Sequence, residues 1–267
     1  MPDLEIAAAA VAVILVRRHN SNATWGRNRV SRKPRTALWR RPLLAALVTL
    51  VTLAGCTTTP PSSRVEDTKE LRALQARAAY ERGTAALDQQ QFGLALSAFQ
   101  EAAQLDSTVA VYAYSMGTVL LHMRELRGAL AWLDRAVERD PTYGDAHFHR
   151  GTALAESARF DDAVAAYRRA LTLPTLTVPH AAHQNLGYAL FALKRYVEAE
   201  ASLRFALNIE SQQPQMARTY LNLGLVLVAE GRKEEAKAAF RQARKLAPDS
   251  PSARDAVEQL KALGEEG

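Results

Sequence analysis

The sequence predicts an all-α protein built as a solenoid of stacked helix pairs, on three observations. First, the chain repeats itself from Thr68 onward: Gly83, Gly117, Gly151, Gly187 and Gly224 stand 34, 34, 36 and 37 residues apart. Second, each glycine is followed at fixed distances by three columns. Twelve residues on is an alanine (Ala95, Ala129, Ala163, Ala199, Ala236), then a large apolar residue (Phe99, Leu133, Tyr167, Leu203, Phe240), then a second alanine (Ala102, Ala136, Ala170, Ala206, Ala243). Third, a helix breaker or small polar residue closes each unit: Ser107, Pro141, Thr175, Ser211 and Pro248. A unit of this period cannot bury its apolar face alone, so neighbours stack to make the core.

The elements follow in order. Residues 1–55 carry nine Lys/Arg against two Asp/Glu, whereas residues 56–267 carry 25 against 26. The basic excess behind a sequence pI near 9.6 therefore sits ahead of Cys56. Without it the chain lacks the electrostatic footprint of a nucleic-acid binder. Arg35, Arg40 and Arg41 precede an uncharged run from Leu43 to Ala54. The run is far short of the roughly 20 residues of a spanning helix and suits the core of an export signal. Leu53, Ala54 and Gly55 before Cys56, the only cysteine in the chain, resemble the bacterial lipobox, in which the signal peptidase cuts ahead of the cysteine. The resemblance implies a diacylglycerol thioether on Cys56 and acylation (palmitate) of its new amino group. Two or more acyl chains anchor a protein stably, at about 0.8 kcal/mol per buried methylene. Ahead of the signal lies a second apolar stretch, Ile6 to Val16, and no methionine occurs between Met1 and Met116. Either translation starts near Val30, so that much of residues 1–34 is never made, or the leader is long.

Residues 56–67 read as a flexible tether, since Thr57-Thr58-Thr59-Pro60-Pro61-Ser62-Ser63 offers no apolar residues for a core. Familiar sorting rules retain lipoproteins with Asp next to the cysteine at the inner membrane. Thr57 stands there, which by that resemblance implies the outer membrane, with the rest of the chain in the periplasm.

The four columns resemble the tetratricopeptide repeat. The resemblance implies a right-handed superhelix over 68–250, with repeats near 76–109, 110–143, 144–179, 180–216 and 217–250. Each repeat would hold an A helix carrying the glycine and a B helix carrying the other columns. Extra residues with Pro174 and Pro179, and with Pro214, predict a longer B helix or an altered exit loop after the third and fourth repeats. Residues 251–267 read as a cap and tail: Val257, Leu260 and Leu263 inward, Asp255, Glu258 and Lys261 toward water.

The sequence holds no phosphate loop, dinucleotide fingerprint or nucleophile elbow, and it reads as noncatalytic, with no cofactor, no metal and no small-molecule substrate. His147, His149, His180 and His183 form the one cluster to weigh as a metal site. His147 and His183 occupy the fourth position of consecutive A helices, and no third ligand is specified.

In this fold the A helices line the concave face, at positions two, five, nine and twelve of each repeat. There stand Tyr80, Tyr114, Phe148, Leu221, Tyr188, Leu225 and Phe191, a stripe too apolar for a wet surface. One reading is a groove for an amphipathic helix or extended apolar peptide, with the aromatics as anchors. The other is that these side chains pack against adjacent A helices. Lipid anchor, tether and apolar-faced repeats, with "NLGYALFALKRYVEAEASLRFAL" (Asn185 to Leu207) as the most similar stretch, resemble the type IV pilus pilotins of the PilF/Tgl type. That resemblance implies an assembly factor that binds secretin subunits and on which twitching or gliding motility depends. The chain shows five repeats where six are expected of that family. The alternative is a general envelope scaffold for outer-membrane or cell-wall assembly.

Overall fold

A computed structural model describes residues 61–209 and 213–265. The leader, the lipobox, Cys56 and the first part of the tether lie outside the described residues. Eleven α-helices and one short 3-10 turn (Pro214–Met216) make up the described chain, and no strand occurs among the described residues. They pair as A and B helices: α1 (Pro61–Asp88) with α2 (Phe92–Leu105), α3 (Ala110–His122) with α4 (Leu126–Arg139), and α5 (Gly144–Glu156) with α6 (Phe160–Leu171). Then come α7 (Pro179–Ala192) with α8 (Tyr196–Ile209), α9 (Ala217–Ala229) with α10 (Lys233–Leu246), and a final α11 (Pro251–Ala262).

The columns explain the pairing. All ten column alanines are fully buried, as are Phe99, Leu133, Leu203 and Phe240. The glycine lets the B helix come close: a methyl group built at Gly187 would stand 2.5 Å from Leu203 Cγ, and one at Gly151 2.7 Å from the Tyr167 ring. The large side chain of each B helix thus occupies the space where the A helix has no Cβ.

Every A helix ends the same way. Gln90, Arg124, Ala158, Lys194 and Gly231 occupy the same repeat position, and all five have φ between 59° and 78°. A left-handed residue there lets the next amide reach back to a helix carbonyl, as Gln91 N does to Ala86 O at 2.9 Å and Arg195 N to Leu190 O at 2.9 Å. Only the fifth repeat uses glycine at this position.

Several expectations need correction. The segment read as tether is helical from Pro61, because α1 runs for 28 residues. Proline is well accommodated in a first helical turn, where its missing N–H has no partner to lose, and "RVEDTKELRALQ" contains no breaker. After the third repeat the B helix is not longer, since α6 stops at Leu171, and the altered part is the exit loop. Thr175 Oγ1 bonds Thr142 O and accepts from Gly144 N at 2.7 Å, while Asp145 accepts from Thr177 N at 2.8 Å. The inserted residues are strapped onto the start of α5. In the cap, Leu260 is buried as expected and Leu263 packs at the edge of the same core, but Ala253 and Ala256 are buried beside Leu260 while Val257 stands at the margin.

Candidate partner-binding face

The A helices form the inner curve. α3, α5, α7 and α9 approach one another directly as well as their own B helices, whereas neighbouring B helices stand farther apart. Side chains that project from the A helices away from the B layer therefore meet the next A helix or face the concavity.

The seven expected groove residues divide on this geometry. Phe148, Leu221 and Leu225 are only 8%, 3% and 5% exposed, so the reading of them as groove residues is corrected: they belong to the core. Phe148 packs 6.0 Å from the Tyr167 ring and edge-on to His149. Leu221 and Leu225 lie on α9, which sits between the fourth repeat and the cap and buries nine residues. Tyr80, Tyr114, Tyr188 and Phe191 are half-buried. Each leans on another ring: Tyr80 on Phe99 and Tyr112 at 5.5 and 5.4 Å, Tyr114 on Tyr143 at 4.9 Å, Tyr188 on Phe160 at 6.3 Å, and Phe191 on Tyr196 at 5.8 Å. The concave stripe is thus a packed aromatic layer with its outer edges open.

Polar groups extend this layer. Tyr167 OH donates to Thr152 Oγ1 at 3.3 Å, and Arg218 donates to Asn185 Oδ1 at 3.3 Å, tying the fifth repeat to the fourth. Burial lowers the Arg218 pKa and raises those of Tyr114 and Tyr188. His149 Nδ1 donates to Asp145 O at 3.0 Å, fixing its tautomer beside Tyr114, and burial holds its pKa below the usual value. Tyr143 and His149, which flank Tyr114, were not among the expected groove residues, His149 having been weighed only in the histidine cluster. Their signal was position: Tyr143 closes the second repeat and His149 follows a core residue.

The histidines are separately engaged. His147 Nε2 donates to Pro141 O at 3.1 Å, and the His183 ring stacks on Phe205 at 5.0 Å. Among the described residues no group of three or more His, Cys, Asp or Glu comes together, and no helix is long and apolar enough to cross a membrane. The face offers rings, amides and the guanidinium groups of Arg77 and Arg218, which suits a polypeptide ligand.

Paired helices stacked into a curve with an aromatic inner layer define a helical-repeat protein of the kind that binds other proteins. Two family models, each described as tetratricopeptide repeat, match residues 114–175 and 178–249. The chain belongs to the tetratricopeptide-repeat proteins. No curated protein matches it. Similar solved structures include MamA (21% identity, TM-score 0.57, 72% of this chain and 97% of that one). YrrB, described as having an unusual peptide-binding site, shows 21% identity and a TM-score of 0.58 over 74% of this chain and 97% of its own. PilF of Pseudomonas aeruginosa shows 20% identity and a TM-score of 0.57 over 72% and 93%. At these identities the likeness is one of fold.

Proposed function

We propose that this chain is a lipid-anchored periplasmic scaffold of the outer membrane that captures secretin subunits and assists their assembly for type IV pili. The observation that carries the reading is the lipobox-like Leu53–Cys56 directly ahead of a repeat stack whose inner curve keeps half-exposed aromatics. The fold it shares with PilF is consistent with this role. Acyl chains on Cys56 keep the stack beside the bilayer in which the client multimerises, which raises the effective concentration of both. The catalytic demand is nil: chaperoning a subunit takes a surface, and the concave face supplies apolar area with a few oriented polar groups.

Deleting the gene tests the proposal. The expected outcome is loss of surface pili together with loss of detergent-resistant secretin multimers. Intact pili with leaky or misshapen cells would replace it with the general envelope scaffold. Cys56→Ala is expected to move the protein out of the outer-membrane fraction, and its persistence there would mean that something other than lipid holds it.

A further inference from the structure

The outer surface is made by the B helices, and the repeats supply their own comparison. Positions 18, 22 and 26 of each repeat form one exposed i, i+4 row. In the other four repeats positions 18 and 26 hold Glu101, Arg127, Arg135, Asp161, Arg169, Glu234 and Gln242, with Gly93 the exception, while position 22 is small throughout (Ser97, Ala131, Ala165, Ala238). In the fourth repeat the row reads Val197, Ala201, Phe205 and continues to Ile209. Val197 is 77%, Phe205 60% and Ile209 46% exposed. No fold requirement explains the apolar Val197 and Phe205, because the same two positions are charged or polar in both neighbouring repeats (Asp161 and Arg169, Glu234 and Gln242).

The row is held ready. The Phe205 ring stacks on His183, whose Nδ1 lies 3.4 Å from Ser202 Oγ, while that hydroxyl donates to His183 O at 3.0 Å. A large apolar ring kept in one pose in water is a preorganised contact. Its rim is neutral through its own ion pairs. Glu198 is bound by Arg168 at 2.6 Å and Arg195 at 2.7 Å, Glu200 by Arg204 and Arg232, each at 2.7 Å, and Arg232 also binds Glu230 at 2.9 Å and Glu235 at 2.7 Å, so that four arginines meet four glutamates. A rim without net charge gives no attraction to an oppositely charged partner and no repulsion against an identical rim.

We propose that this ridge is a self-association surface, on which a second copy of the chain packs its own Val197–Ile209 row across a two-fold axis. Identical i±4n rows interdigitate at a crossing angle of about −50°, and an isologous contact needs only one self-complementary patch. The exposed apolar area of the row would bury on the order of 800 Å² over both copies, under the roughly 1,600 Å² of a standard interface. The pairing is therefore weak and grows with local concentration. It concerns the outer face, so it stands or falls apart from the concave-face reading.

Disulfide trapping tests it in the full chain carrying Cys56→Ala, so that the native thiol takes no part. Ala201→Cys places a thiol in the middle of the row, and mild oxidation is expected to give a covalent dimer of twice the chain mass. Gln242→Cys, on the same row in the fifth repeat, is expected to give little. Adding Val197→Glu to Ala201→Cys is expected to cut the dimer about tenfold, equivalent to about 1.4 kcal/mol, with the helical signal unchanged. The proposal is overturned by absence of the Ala201→Cys dimer, by equal trapping at Gln242→Cys, by trapping that survives Val197→Glu, or by a crosslink of a different mass.

Discussion

At Gly224 a methyl group would stand 2.3 Å from Cε1 of Phe240, a fully buried rigid ring. Gly224→Ala therefore overpacks the fifth repeat and is expected to cost about 1–3 kcal/mol, read as a lower urea midpoint. Ala158 has φ 59° at the turn where the fifth repeat places Gly231. Ala158→Gly relieves a left-handed alanine and is expected to stabilise by about 1 kcal/mol, while Gly231→Ala costs a similar amount. Glycine is thus favoured over alanine at two positions seven residues apart in the repeat, at one by space and at the other by backbone dihedral. Protonation adds a third residue-level effect. Burial holds His147, His149 and His183 below the usual value of 6.5. The unfolded chain takes up these protons first as pH falls, so stability is full above about pH 6.5 and declines below it. Urea midpoints at pH 7.5 and pH 5 check the sign, and His149→Gln is expected to flatten the difference.

At the scale of the element, α11 closes the open end of the stack. Ala253, Ala256 and Leu260 are buried against the fifth repeat, and Ser250 Oγ accepts from Ala253 N at 3.1 Å to start the helix. Leu260→Ala is expected to cost about 2–5 kcal/mol, and Ser250→Ala about 1 kcal/mol. Thermal melts of both variants check the ranking. The helices of the repeats were legible in the sequence because Gly, Ala, large and Ala recur five times, and each column has one cause, the close approach of A and B. The cap face was only partly legible: Leu260 is buried as its size suggests, but Ala253 and Ala256 are buried with it while the larger Val257 stands at the margin. A small residue allows the closest approach, which size-based reading misses. The helical start at Pro61 was hidden for a different reason. Proline and serine serve both linkers and first helical turns, and only the twelve residues that follow decide between them.

Across the whole molecule, the openness of the concave face depends on how tightly successive repeats curve. That is a property of five units together, and no single repeat encodes it. Tyr114 and Phe148 hold equivalent positions in consecutive repeats, yet Phe148 is core and Tyr114 is half open. Gln184 and Leu221, at the same position of the fourth and fifth repeats, are closed as well. Inter-repeat ion pairs such as the exposed Arg168–Glu198 and the part-buried Arg232–Glu200 join the outer ends of the units, but pairs with this much access to solvent stabilise little, so the curvature rests on the apolar contacts. A charge at a closed position must then act on the fold, and a charge at an open one on the partner. Phe148→Asp is expected to lower stability by at least about 3 kcal/mol, through a lost ring and a buried carboxylate. Phe191→Asp is expected to leave the melting temperature within a few degrees of wild type and, on the proposed function, to abolish recovery of a secretin in a crosslink and pull-down. Circular dichroism melts and that pull-down, run on both variants, separate the two effects. If Phe191→Asp unfolds with Phe148→Asp, the inner curve is core throughout, and the partner must be held on another face.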